Sequence, residues 1–240
     1  MRVIGLDVHR SFAQVAILEH GAVKDFGRFA MEREAVLHFA ATLRKDDDVV
    51  LESTVNTVAI VRLLNPFVRR VVVANPLQVR AIAWAKVKTD KIDAATLARL
   101  HAAGFLPEVW TPPQEVQAQR LRIAERTQLV SQMTRLKNRI RSVLHANLIP
   151  REAGRLHSQR GRARLEQLAL PAEQKRLVLR HLDELDRLGA ELAILDKDLA
   201  QRALDEPDVK RLMTIGGVNA IVAASVLAAI GDIRRFSSPE

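Results

Sequence analysis

Val3-Ile4-Gly5-Leu6-Asp7-Val8-His9-Arg10-Ser11-Phe12-Ala13-Gln14-Val15-Ala16-Ile17-Leu18 is the stretch that decides the fold class. Residues 3–7 form a short apolar run ending on an acid, and residues 12–18 alternate apolar with polar positions. Residues 22–29 alternate less cleanly, with Gly21 as the turn between, so the chain is expected to open with three strands in a meander. Further out, residues 32–43 have helical spacing through Val36, Leu37, Phe39 and Ala40. Asp46-Asp47-Asp48 reads as a polar turn into Val49-Val50-Leu51-Glu52, a second buried strand ending on an acid. Residues 54–64 read as a helix stopped by Asn65-Pro66, and residues 71–74 as a strand closed by Asn75-Pro76. Helices are expected over 77–85 and 91–103, with the polar stretch 86–90 between them and Gly104 capping the second. Strands followed by alternating strands and helices make an α/β domain over residues 1–112, closing near Trp110-Thr111-Pro112-Pro113.

Beyond that point the pattern is helical. Leu129, Met133, Leu136, Ile140 and Val143 repeat at spacings of four and three, as do Leu185, Leu188, Leu192, Leu195 and Leu199. Residues 113–206 therefore read as a helical, coiled-coil region: an antiparallel hairpin, a dimerising coiled coil, or two helices packed on their own core. The Arg- and Gly-rich stretch 150–164 between the seams reads as irregular. Residues 207–240 form a third segment: a short helix over 209–213 with Asp208 as its cap, a glycine turn at Gly216-Gly217, and an Ala-rich helix over 219–230 ending at Gly231. A helix, glycine turn and helix can offer backbone N–H groups to phosphate, although such turns commonly hold no ligand.

The 240 residues include 37 Lys+Arg and 28 Asp+Glu, for a formal charge of +9. The surplus is local: residues 120–164 hold 12 basic and 2 acidic side chains, while residues 165–240 hold 10 and 13. A block of that sign favours a polyanionic partner, most simply nucleic acid, over a merely solvated face. The absence of Cys excludes disulfides, thiolate metal sites and cysteine nucleophiles, and the absence of Tyr excludes a tyrosyl–DNA link. No apolar run is long enough to span a bilayer, and the first residues run straight into a strand rather than a signal peptide, so a cytoplasmic protein is expected.

Asp7 and Glu52 end two strands, while Asp90 and Asp93, three apart, share one face near a helix start. Four such carboxylates can hold two hard divalent cations, for which magnesium and its oxygen ligands are the best fit; two ions about 3.5–4 Å apart serve phosphoryl transfer. Singly, each acid has a plainer use: Asp90 and Asp93 at a helix N-terminus, Asp7 in a turn, Glu52 beside Arg62. His9 is a candidate acid/base or phosphate contact, against the alternative of a polar surface residue. Lys88 is a candidate phosphate contact. Trp84 and Trp110 read as packing between helix and sheet, with base stacking as the alternative.

These segments together resemble a known family. Val3-Ile4-Gly5-Leu6-Asp7-Val8-His9 is similar to the first strand of RuvC-like, ribonuclease-H-fold DEDD transposases. Val50-Leu51-Glu52-Ser53-Thr54 is similar to their second acidic motif, and Val72-Val73-Ala74-Asn75-Pro76 with Lys88-Thr89-Asp90-Lys91-Ile92-Asp93-Ala94 to their third and fourth. Arg135-Leu136-Lys137-Asn138-Arg139 resembles the basic helix that follows. Thr214-Ile215-Gly216-Gly217-Val218, with Ile230-Gly231-Asp232-Ile233-Arg234-Arg235-Phe236, resembles the start of the C-terminal transposase domain. The family is the insertion-sequence group whose recombinases are guided by a bridge RNA, with the pilin-gene invertase as a relative.

The resemblance implies a DNA recombinase with Asp7, Glu52, Asp90 and Asp93 as catalytic magnesium ligands. It implies nucleic-acid contacts at Lys88, Arg135, Lys137, Asn138, Arg139, Arg141, Gly216 and Gly217. DNA and a guide RNA would be its partners, and a dimer or tetramer held by the coiled coil its working form. It also implies a nucleophilic serine tens of residues past the Gly-Asp-Ile segment. Ser237 and Ser238 match ordinary positions there, so the sequence is expected to be truncated before that serine and unable to complete strand exchange alone. Competing readings are a nucleic-acid-binding fragment without catalysis and a RuvC-like junction nuclease. A sugar-kinase- or actin-like ATPase fits less well, because Val8-His9-Arg10 follows Asp7 where such proteins carry a phosphate-cradling glycine.

Overall fold

The computed structural model describes residues 2–82, 89–150, 158–236 and 238. The chain forms two compact units, Met1–Thr111 and Pro112–Glu240.

The N-terminal unit is built on β1 (Val3–Val8), β2 (Phe12–Glu19) and β3 (Ala22–Ala30), then α1 (Arg33–Ala40), β4 (Asp48–Glu52), α2 (Thr57–Leu64), β5 (Arg70–Ala74), α3 (Pro76–Ile82) and α4 (Asp90–Ala102). The sheet order is β3-β2-β1-β4-β5. The first three strands are antiparallel, and β1–β4 and β4–β5 are parallel. The sheet order and strand directions, with helices on both faces, give the α/β arrangement expected for residues 1–112. His20 and Gly21, both at positive φ, make the two-residue turn between β2 and β3, a backbone that only such a primed turn uses. Both faces of β1, β4 and the edge strand β5 are covered, which is why they read as continuous apolar runs. Ile4, Leu6, Val49 and Leu51 pack with Val36, Phe39, Ile60 and Leu64 of α1 and α2. Val3, Val50 and Val72 pack with Leu97 and Ala98 of α4.

The polar turn before β4 is closed by Asp47 N donating to the Arg44 carbonyl at 3.0 Å, and Asp48 is already the first residue of the strand. The Asp47 and Asp48 side chains are buried, Asp47 in a two-bond pair with Arg2 and Asp48 with Arg69 and His101. Buried carboxylates persist where guanidinium and imidazole donors satisfy them, and those donors lie far away along the chain.

The C-terminal unit comprises α5 (Gln114–Ala146), α6 (Gln159–Gln167), α7 (Ala172–Asp205), α8 (Pro207–Leu212) and α9 (Ala220–Ile230). α5 and α7 lie antiparallel: Arg122 pairs with Asp198, Arg126 with Asp196, and Asn147 with Gln174, so the numbers run in opposite directions. Ile140 and Leu144 of α5 pack on Val178, Leu182 and Leu185 of α7. Within the chain the two seams meet as an antiparallel hairpin packed on its own core. The stretch expected to be irregular contains α6: Ser158 caps it by accepting from Gly161 N at 3.3 Å, and Leu165 anchors it in the hairpin core. A single leucine among arginines leaves no periodic signal, and the remainder of that stretch, 151–157, is outside the described residues. α8 starts on Pro207 rather than on an Asp208 cap, because proline fits the first turn, where its missing N–H costs nothing.

α9 is capped by Asn219, whose Oδ1 accepts from Val222 N at 2.9 Å. Its far end is held by Arg120 of α5, which donates to the Ala228 and Ala229 carbonyls at 2.7 and 2.9 Å. Among the described residues no helix is long and apolar enough to cross a membrane.

Candidate functional site

The acids are set by how α4 lies on the sheet. Thr89 caps this helix, its Oγ1 accepting from Ile92 N at 3.3 Å, so neither Asp90 nor Asp93 is needed as the cap. Ala94, Ala95 and Ala98 bury their small side chains against the sheet. At Gly5 the approach is so close that a Cβ would stand 1.9 Å from the Ala94 carbonyl oxygen and 3.2 Å from Ala98 N. Only glycine permits this distance, and it brings the first turn of α4 down beside the end of β1.

Asp7, His9 and Asp90 meet there. His9 Nε2 lies 3.1 Å from Asp7 Oδ2 and 3.4 Å from Asp90 Oδ1, and one ligand atom of each residue lies within 4.8 Å of the others. The turn bond from His9 N to the Phe12 carbonyl (2.8 Å) and stacking on the Phe12 ring fix the imidazole. Asp7 is the most enclosed, its side chain 21% exposed against 40% for His9 and 42% for Asp90. Burial pushes the Asp7 carboxyl above the usual range; His9 pulls it down, and Asp93 and Asp90 push it up. Crowded acids held partly out of water favour whatever cation can neutralise them.

Asp93 is thus close enough to be felt by Asp7, though outside the 4.8 Å group. Glu52 also stands outside that group. The parallel register, Leu6 opposite Leu51, carries Asp7 and Glu52 to neighbouring positions at the ends of adjacent strands. Lys88 and Trp84 lie outside the described residues. The donor set fits a divalent cation: two convergent carboxylates with an imidazole, part exposed, on a rigid strand end and helix start. His9 was legible as a candidate acid/base or phosphate contact two places after an acid; its bridging position depends on α4.

The basic block divides in two. Arg120 holds α9, Arg122 and Arg126 pair with acids of α7, and Arg162 pairs with Asp186. Arg135, Lys137 and Arg139 have no acidic partner among the described residues, and Arg141 donates only to Asn138, at 3.0 Å. Arg135, Asn138, Arg139 and Arg141 are exposed on α5, with Lys137 half-buried. Gly216 and Gly217 lie in an exposed turn between α8 and α9, Gly217 at φ +87°.

Comparisons with known proteins agree with the resemblance. The sequence profile of a transposase family, of the DEDD IS110 type, matches residues 4–148, and that of transposases of the IS116/IS110/IS902 family matches residues 209–240. A probable family 20 transposase of Pseudomonas aeruginosa is 29% identical over 163 residues, covering 62% of this chain and 46% of the relative. The chain thus spans about half the length of the curated relative it matches. Among solved structures, T. thermophilus RuvC in complex with a Holliday junction substrate is similar at a TM-score of 0.31 and 13% identity, over 45% of this chain and 99% of that one.

Proposed function

Because the chain belongs to the DEDD transposase family of IS110 type, we propose that its N-terminal unit is a cation-dependent site for phosphodiester transfer on DNA, acting in transposition. The convergence of Asp7, His9 and Asp90 carries this reading. Asp7, Glu52, Asp90 and Asp93 are the ligands we assign to magnesium, two ions in number. Bound magnesium supplies charge neutralisation for the attacking and departing oxygens. The protein's part is to hold these carboxylates together on a strand end and a helix start, with His9 Nε2 set against both Asp7 and Asp90.

Asp7→Ala and Asp93→Ala are each expected to weaken Mn2+ binding, used as the probe for magnesium, by about 100-fold or more, and to remove any metal-dependent DNA nicking. Calorimetry and a nicking assay on the folded variants check this. Unchanged binding in Asp7→Ala sinks the proposal.

For the C-terminal unit we assign nucleic-acid contact, with DNA and guide RNA, to Arg135, Lys137, Asn138, Arg139 and Arg141 and to the Gly216-Gly217 turn. Lys88 of the N-terminal unit joins them. The hairpin of α5 and α7 is the element we assign to assembly of a dimer or tetramer. Replacing Arg135, Lys137 and Arg139 together by alanine is expected to lower the slope of log affinity against log salt by about 2–3. Arg126→Ala, which removes a cation already paired within the fold, is expected to leave the slope unchanged. Equal slopes for the triple variant and the parent, measured by fluorescence anisotropy, would remove this surface from consideration.

A further inference from the structure

Gln14 is a costly residue where it stands. Its neighbours in β2, Ala13, Val15 and Ala16, are buried and apolar, yet Gln14 is a long amide only 1% exposed. A buried amide must be satisfied. Gln14 lies directly across the sheet from Asp7 in the β1–β2 register. Its Nε2 donates to Asp25 Oδ1 of β3 at 2.6 Å, an oxygen that also accepts from Gly27 N at 3.0 Å. Gly27, at φ +91°, follows the irregularity in the β2–β3 pairing at Val15 and Ala16, which turns Asp25 toward Gln14. The other oxygen, Asp25 Oδ2, faces Lys91 Nζ at 2.5 Å, and Lys91 is the residue after Asp90 in the first turn of α4. The circuit therefore starts beside Asp7, crosses β2 and β3, and returns through α4 to Asp90.

Resting on the cation-site reading above, we propose that Lys91 is a positioning residue. Held by Asp25 and Gln14, it fixes the first turn of α4 so that Asp90 stays against Asp7 and His9. Gly5 allows the helix to come close, and Lys91 sets its rotation and slide at that distance. The plain alternative is a surface ion pair, since Lys91 is 63% and Asp25 38% exposed, and such pairs contribute little to stability.

The two ideas predict opposite signs. As a mere neighbouring charge, Lys91 repels a divalent cation, so removing it should tighten binding. As a positioning residue, its removal should loosen binding. The experiment is Mn2+ titration of the 240-residue chain and of Lys91→Met and Lys91→Arg, with thermal midpoints and amide hydrogen exchange on the cation-free forms. Lys91→Met is expected to weaken Mn2+ affinity about tenfold and to speed exchange at the Ile92 and Asp93 amides, which bond to the Thr89 carbonyl. Its midpoint should stay within about 2 °C of the parent, and Lys91→Arg should recover most of the affinity. Equal or tighter Mn2+ binding in Lys91→Met overturns the proposal. If the parent binds no Mn2+, the cation-site reading fails instead, and the exchange data alone decide whether Lys91 fixes the helix: no change at Ile92 and Asp93 overturns it.

Discussion

Gly5→Ala is expected to destabilise the N-terminal unit by about 3 kcal/mol or more and to abolish Mn2+ binding at the acidic cluster. The added methyl would lie 1.9 Å from the Ala94 carbonyl oxygen, with the Ala94 carbonyl carbon at 2.9 Å and Ala98 N at 3.2 Å. These are backbone atoms of a helix, so no side chain can swing aside to relieve the clash. Reaching an ordinary C···O separation of about 3.3 Å requires the helix to back away by more than an ångström. That shift opens the packing of Ala94, Leu97 and Ala98 on the sheet and carries Asp90 away from Asp7. Urea unfolding and Mn2+ titration of the same preparation measure both losses. If the variant unfolds at the parent's midpoint, the contact between α4 and β1 is not what holds the site together.

Asp48→Asn is expected to cost about 2–3 kcal/mol at pH 7, with a loss that shrinks in acid. The Asp48 side chain is 1% exposed. Its Oδ1 accepts from Arg69 Nε at 2.8 Å, and its Oδ2 meets Arg69 Nη2 at 2.5 Å and His101 Nε2 at 2.8 Å. It thereby ties the start of β4 to the entry of β5 and to the last turn of α4, at the opposite end of the strand from Glu52. Asparagine keeps the shape but loses the charge, leaving the nearly buried His101 with a weaker partner; Arg69, half exposed, can turn to water.

Burial alone would raise the Asp48 carboxyl, but the bonds from Arg69 and His101 outweigh it and hold the group below the usual carboxylate range. A carboxyl lowered by folding stabilises the native state above its unfolded value, about pH 4, and that stability disappears as pH falls through the lower folded value. The parent and Asp48→Asn should therefore differ most near neutrality and converge below about pH 4. Denaturant titrations from pH 7 to pH 3 follow the gap. A difference that is constant across that range would show that the loss does not come from the Asp48 charge.

Much of this architecture is local and so can be read from neighbouring residues. Alternation in residues 12–18, the glycine turn at Gly21 and the apolar runs ending on Asp7 and Glu52 reflect backbone geometry and burial of individual strands. The seams of α5 and α7 are equally local, repeating with the helical turn. The acids of the candidate site were visible as residue types at strand ends and a helix start. His9 was visible as a candidate acid/base or phosphate contact, but not as the bridge between Asp7 and Asp90.

The sequence by itself determined the order of elements, the α/β class of the first unit, the helical character of the second and the family to which the chain belongs. Tertiary structure alone decided which charges are available and which are used within the fold. Asp48 read as part of a polar turn, yet its side chain is buried against partners 21 and 53 residues away. Arg120 and Arg135 belong to one basic block, but Arg120 holds carbonyls 108 and 109 residues along the chain and Arg135 has no acidic partner among the described residues. Gly5 was part of a strand motif until the helix above it showed why no larger residue fits. The physical reason is common to all three: a side chain's desolvation, pairing and clearance depend on distances through space, and residues far apart along the chain set those distances only once the helices have docked.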